Sequence, residues 1–146
     1  MKIGIGCDHN GIELKESIIN YIRNKKIMIE DFGPYDYDAL DDYPDYAFAV
    51  GEAIRDNKID LGILICGTGI GMSIACNKVR GVRCAHVSTI KETRLTRIDN
   101  NANVIAISMN LNFDKIKRII DTFIETPFSV EERHHRRVDK ITKYER

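Results

Sequence analysis

The chain has 146 residues, 43% hydrophobic and 30% charged, with 22 basic and 22 acidic side chains. That suffices for one domain with a real core and is wrong for a disordered chain, and nothing in the totals suggests a nucleic-acid or membrane surface. The longest apolar runs are too short to span a bilayer. MKIGIGCDH enters a strand pattern with no signal-peptide core, so a cytoplasmic setting is expected. Cys7, Cys66, Cys76 and Cys84 form no CxxC pair, and free thiols in a reducing compartment follow.

Ile3 to Gly6 reads as a first strand with Cys7, Asp8 and His9 at its tip. After Gly11, the spacing of Ile12, Leu14, Ile18, Ile19 and Ile22 predicts an amphipathic helix to about Asn24. Ile27 to Phe32 is a second strand, closed by Gly33 and Pro34, and Tyr35 to Tyr43 is an acidic loop. Pro44 sits where a helix can start, with Tyr46, Ala47, Ala49, Val50, Ala53 and Ile54 as its inner face. Leu61 to Cys66 is a third strand. It runs into Gly67, Thr68, Gly69, Ile70 and Gly71, then a helical pattern through Met72, Ile74, Ala75 and Val79. Val82 to Val87 is a fourth strand. Thr89 and Glu92 then match a capping box on a helix through Arg97. A polar connection, Asp99 to Asn103, leads to a fifth strand ending at Ser108. Phe113, Ile116, Ile119, Ile120 and Phe123 mark another helix, ended near Pro127, and a last one spans about Val130 to Tyr144.

Strands alternating with helices imply parallel pairing through right-handed crossovers. The expected fold is α/β: a doubly wound, Rossmann-like three-layer sandwich on a five-stranded parallel sheet, in one domain covering residues 1–146. Ligands of such sheets sit beyond the carboxyl ends of the strands. That rule is expected to gather Asp8, His9, Cys66 to Gly71 and Asp99 to Asn103 on one edge.

Cys66 has two readings, a small buried residue closing a strand or a general base whose thiol is tuned by adjacent amides. The GTGIG turn is neither a Walker loop nor a GxGxxG fingerprint, since no GK[ST] follows and the spacing differs. Its alternating glycines let the backbone approach a ligand, and a strand-to-helix junction suits an anion. The other reading is a tight turn that binds nothing. His86, inside an apolar strand, reads as a packed core histidine. Arg133 and Arg137 are four apart on one helix face, a spacing that suits one small anion gripped by two guanidinium forks. Between Glu131 and Arg146 there are six basic and four acidic residues, too even a balance for a polyanion site.

Five segments together resemble one known family. GCDHNG at Gly6–Gly11, DYPDYA at Asp42–Ala47, ICGTGIGMSIACNK at Ile65–Lys78, NNANV at Asn100–Val104 and RHHRRV at Arg133–Val138 are similar to type B ribose-5-phosphate isomerase. The wider group includes galactose-6-phosphate isomerase subunits. The resemblance implies an aldose–ketose isomerase without metal or cofactor, a homodimer or tetramer with active sites at a subunit interface. It also implies that the C-terminal helix, 130–144, packs on a partner subunit.

By the same resemblance, Cys66 shuttles the proton between C1 and C2 through a cis-enediolate, with Thr68 supporting the reacting groups. Backbone N–H groups of Gly67, Gly69, Ile70 and Gly71 hold the enediolate oxygen. His9, Arg133 and Arg137 bind phosphate, some of them from the neighbouring subunit, and Asp8, Tyr43 and Asn100 contact the sugar. The sequence departs from the family pattern in three respects. Asp99 stands where a ring-opening histidine is usual, Glu131 and Glu132 replace two glycines, and Cys76 replaces an alanine. Ring opening then falls to Asp99 with a raised pKa, to His9, or to water. The substrate expected is D-ribose 5-phosphate, isomerised to D-ribulose 5-phosphate. The alternatives are a six-carbon sugar phosphate such as allose or galactose 6-phosphate, or a non-catalytic sugar-phosphate-binding relative.

Overall fold

The computed structural model describes residues 1–145. Five strands form one sheet: β1 (Lys2–Cys7), β2 (Met28–Asp31), β3 (Leu61–Cys66), β4 (Cys84–His86) and β5 (Val104–Ser108). All pairs are parallel and the spatial order is β2-β1-β3-β5-β4. The helices are α1 (Ile12–Asn24), α2 (Tyr43–Arg55), α3 (Ile70–Cys76), α4 (Ile90–Asn100), α5 (Phe113–Glu125) and α6 (Glu132–Tyr144). A 3-10 turn, His9–Gly11, joins β1 to α1. This is the expected doubly wound sandwich, and the direction of winding reverses between β1 and β3.

Alternation along the central strands feeds two cores. Ile63 and Ile65 of β3 pack toward the layer with α1 and α5, while Leu64 and Cys66 pack toward α2 and α3. Period-two side chains on a sheet covered on both faces give this division. In α5, Ile116, Ile119, Ile120 and Phe123 are all fully buried at helical spacing. Each such side chain contributes about 1.5–3 kcal/mol when removed from water. Thr89 caps α4 as expected: its hydroxyl accepts the Glu92 N–H at 3.1 Å, and the Glu92 carboxylate accepts the Thr89 N–H at 3.1 Å. The α6 helix rests on α4 through only two buried residues, His134 and Val138, and its other side chains are exposed or half-exposed.

One expectation about the fold is overturned. The helix expected to stop at Arg97 continues to Asn100, so Asp99 and Asn100 lie in its last turn rather than in a loop. They also lie at the wrong edge of the sheet to join Cys66. The chain leaves α4 into Asn103, whose carbonyl accepts the Gly62 N–H at 2.8 Å beside the start of β3. Cys66, at the far end of β3, is in register with Ser108, the far end of β5. At about 3.3 Å per residue, the two ends of these strands are roughly 15 Å apart. The physical reason is general: a helix between parallel strands must return the chain to the edge where strands begin.

Candidate active site

At the carboxyl edge, β1 and β3 end side by side. The Asp8 N–H donates to the Ile65 carbonyl at 3.2 Å, which fixes Asp8 and His9 next to the Cys66 turn. Asp8 then caps the 3-10 turn, its Oδ1 accepting the Asn10 N–H at 3.0 Å. Burial is the main cause that raises the pKa of this carboxyl above the ordinary aspartate value.

Cys66 is 6% exposed, so the thiol lies under the glycine turn rather than standing out of it. Its sulfur accepts the Gly69 N–H at 3.1 Å. The Ile70 N–H is also engaged, by the Thr68 hydroxyl at 3.1 Å. Two of the amides expected to hold a ligand are therefore already committed within the turn. Those of Gly67, Thr68, Gly71 and Met72 find no acceptor among the described residues.

Gly67 faces open space, with nothing within 4 Å of where a Cβ would stand. Its carbonyl is held from behind by the Ser108 hydroxyl at 2.7 Å and the Asn110 amide at 3.4 Å. Gly69 has φ +83°, and a Cβ there would meet the Ile107 backbone at 2.9 Å. A side chain is thus excluded twice, by conformation and by contact. Gly71 lies under the Tyr43 ring, whose hydroxyl oxygen would be 2.8 Å from an added Cβ. Tyr43 opens α2 and so reaches the same turn.

His9 completes this half of the site. Its Nδ1 is 2.6 Å from Asp41 Oδ1, and the Tyr37 ring stands edge-on at 5.6 Å. The Asp41 hydrogen bond is the main cause that raises the pKa of this imidazole above the ordinary histidine value.

The other expected residues lie on the opposite side of the chain. Asp99 Oδ1 is 3.7 Å from the ring of buried His134, and the Asn100 carbonyl accepts from Arg83 Nε at 3.2 Å. Ser129, just before α6, donates its N–H to the Ile98 carbonyl, which brings the start of α6 to this edge. Arg133 and Arg137 are exposed there, and Arg133 pairs with Glu131 at 2.7 Å. A single chain thus brings together Asp8, His9, Tyr43, Cys66, Thr68 and the glycine turn. It holds Asp99, Asn100, Arg133 and Arg137 apart from them.

Sequence reasoning missed three participants. His86 is exposed rather than packed in the core, because β4 is a three-residue edge strand; its Nε2 is 2.9 Å from the Thr68 carbonyl. The signal was available, since His86 ends a strand as Cys66 does. Ser108 ends β5 in the same way. Asp41 had no local signal, being one aspartate in an acidic loop. The remaining cysteines keep structural places, and burial pushes the Cys7 thiol up to about 12. Among the described residues, no three His, Cys, Asp or Glu side chains cluster as metal ligands, and no helix is long and apolar enough to cross a membrane.

A strand-end thiol under a glycine turn, on a doubly wound parallel sheet, defines the class: an α/β protein with its candidate chemistry at the switch point. The model of the ribose/galactose isomerase family matches residues 3–141. A probable ribose-5-phosphate isomerase B of Mycoplasma genitalium is 44% identical over 146 residues, covering 99% of this chain and 95% of the relative. The ribose-5-phosphate isomerase B of Mycolicibacterium paratuberculosis is 38% identical over 147 residues, covering 100% and 92%. The crystal structure of the Mycoplasma genitalium enzyme with bound ribulose-5-phosphate has a TM-score of 0.94 at 43% identity, covering 99% of this chain and 95% of that one. That of the Clostridium thermocellum ribose-5-phosphate isomerase B gives 0.93 at 40% identity, covering 98% and 96%. The chain belongs to the ribose/galactose isomerase family.

Proposed function

We propose that the protein is an aldose–ketose isomerase that interconverts D-ribose 5-phosphate and D-ribulose 5-phosphate. The observation that carries this is Cys66: its sulfur is fixed by the Gly69 amide, beneath a turn whose Gly67, Thr68 and Gly71 amides find no acceptor among the described residues. A proton next to a carbonyl is weakly acidic, and the main cost of removing it is the negative charge left on oxygen. Backbone amides held in place before the reaction lower that cost without reorganising. Cys66 takes the proton from C2 of the aldose and returns it to C1, while the Gly67 and Gly71 amides take the enediolate oxygen. Thr68 supports the turn, and Asp8 and Tyr43 orient the sugar hydroxyls. The relatives named above are ribose-5-phosphate isomerases, which supports the five-carbon substrate over a six-carbon one.

The phosphate seat in this reading combines His9 with Arg133 and Arg137. Since the arginines lie at the opposite edge of their own chain, they come from a second copy. A two-fold homodimer then repeats the composite site twice. Ile70 and Ile74, 50% and 59% exposed on the outer face of α3 beside the turn, support such a contact. Asn100 and Asp99 would arrive from the partner with the arginines, Asn100 to the sugar and Asp99 to ring opening. The same reading places the protein in the cytoplasm, in the non-oxidative branch of pentose phosphate metabolism.

The test is proton NMR of ribose 5-phosphate in D₂O. The parent protein should form ribulose 5-phosphate and exchange the C2 proton, and Cys66→Ala should lose about 10²–10⁴-fold or more in rate. Near-parental exchange in Cys66→Ala would remove the base from the proposal.

A further inference from the structure

The loop between β2 and α2 contains a carboxylate that the reaction above does not use. Asp41 has a side chain only 5% exposed, with Oδ1 on His9 and Oδ2 buried without a hydrogen-bond partner among the described residues. Burying a carboxylate with one oxygen unsatisfied is costly, and it persists where a paired charge compensates. Among the described residues the His9 imidazole is the only side chain that forms an ion pair with it, and the Tyr46 phenol also lies against it.

We propose that Asp41 is a positioning residue for the substrate's phosphate, gripping His9 at Nδ1 so that its Nε2 meets the anion as a donor. The inference rests on the reading that His9 belongs to the phosphate seat. The chemistry turns on the second nitrogen, which has no partner among the described residues. A neutral imidazole that gives its one proton to Asp41 presents a bare lone pair at Nε2, which repels a phosphate oxygen. The doubly protonated ring donates at both nitrogens, one bond to Asp41 and one charge-assisted bond to phosphate.

The surroundings favour that form. Asp8 in the adjoining turn and Asp38 in the same loop also face His9, and all three carboxylates act to raise its pKa. The Tyr37 ring stands at the edge of His9, and the Tyr46 phenol lies against Asp41, where burial and then that carboxylate push it up to about 12, so neither adds charge at neutral pH. The loop is anchored where it leaves β2: buried Lys15 donates to Asp31 at 2.8 Å and to the Pro34 carbonyl at 2.6 Å.

The experiment compares the parent with Asp41→Asn by NMR titration of the histidines and by KM for ribose 5-phosphate across pH. In Asp41→Asn the His9 midpoint should fall, and near pH 8 KM should rise about five- to tenfold with kcat within about twofold. Near pH 6 the ratio of the two KM values should approach one, because His9 is then largely protonated in both proteins. Inorganic phosphate as competitive inhibitor should lose affinity in parallel. A lesion of the loop alone would raise KM equally at both pH values, and that result would overturn the proposal. So would an unchanged His9 midpoint in Asp41→Asn. Should that variant not fold, the parent decides by itself, since a His9 midpoint at or below that of a free histidine also overturns it. His9→Gln separates the two levels: if its KM is unchanged, the phosphate-seat reading of His9 fails, whatever Asp41 does.

Discussion

His86 is a single residue that braces the glycine turn from an edge strand. Its Nε2 holds the Thr68 carbonyl, and its ring lies where a side chain on Gly69 would have to go. Removing the ring frees the turn at Thr68 and Gly69. His86→Ala should therefore lower kcat about ten- to a hundredfold, with His86→Gln, which retains an N–H donor, recovering part of the loss. Steady-state kinetics with a parallel melting curve checks this, and an unchanged kcat would reduce His86 to a surface contact. Cys66 was legible in the sequence because it ends an apolar run and adjoins a glycine, and His9 because it stands at the tip of the first strand. His86 was misread because Ala85 and Val87 flank it. Two apolar neighbours look like burial only if the strand is covered on both sides, and an edge strand of three residues is not.

At the scale of elements, the turn between β3 and α3 is the most demanding piece of backbone. Gly69→Ala forces a Cβ into the left-handed region and against the backbone of Ile107. It should destabilise the protein by about 1–3 kcal/mol, read as a lowered denaturant midpoint, and activity should fall with it. A variant with parental stability would mean that the turn can relax. Thr89→Ala should cost about 1 kcal/mol through the lost cap, read as a lowered denaturant midpoint. The capping box was readable because Thr89 and Glu92 carry the whole interaction in four residues. The end of α4 was not. Asp99 and Asn100 are polar and looked like loop, yet they extend the helix by most of a turn. Where that helix delivers them is set by the direction of the sheet, a property no local pattern contains.

For the molecule as a whole, the fold was largely legible: five strands, their parallel pairing and their alternation with helices all follow from periodicity and turn residues. The candidate site was legible only as a list of expected residues, because Asp99, Asn100, Arg133 and Arg137 lie across the sheet from Cys66 in their own chain. If two copies share each site, inactive variants should rescue one another. Mixing Cys66→Ala with Arg137→Ala and allowing subunits to exchange should restore about a quarter of parental activity, since half the dimers then carry one intact site of two. A mixture no better than its components would place both groups in one chain's site or remove Arg137 from it.

A site shared between two copies would also make the protein depend on its own abundance. Dissociation on dilution would then part Cys66 from the arginines proposed to hold the phosphate. Specific activity would then follow mass action, falling as the protein thins out and returning when it is concentrated.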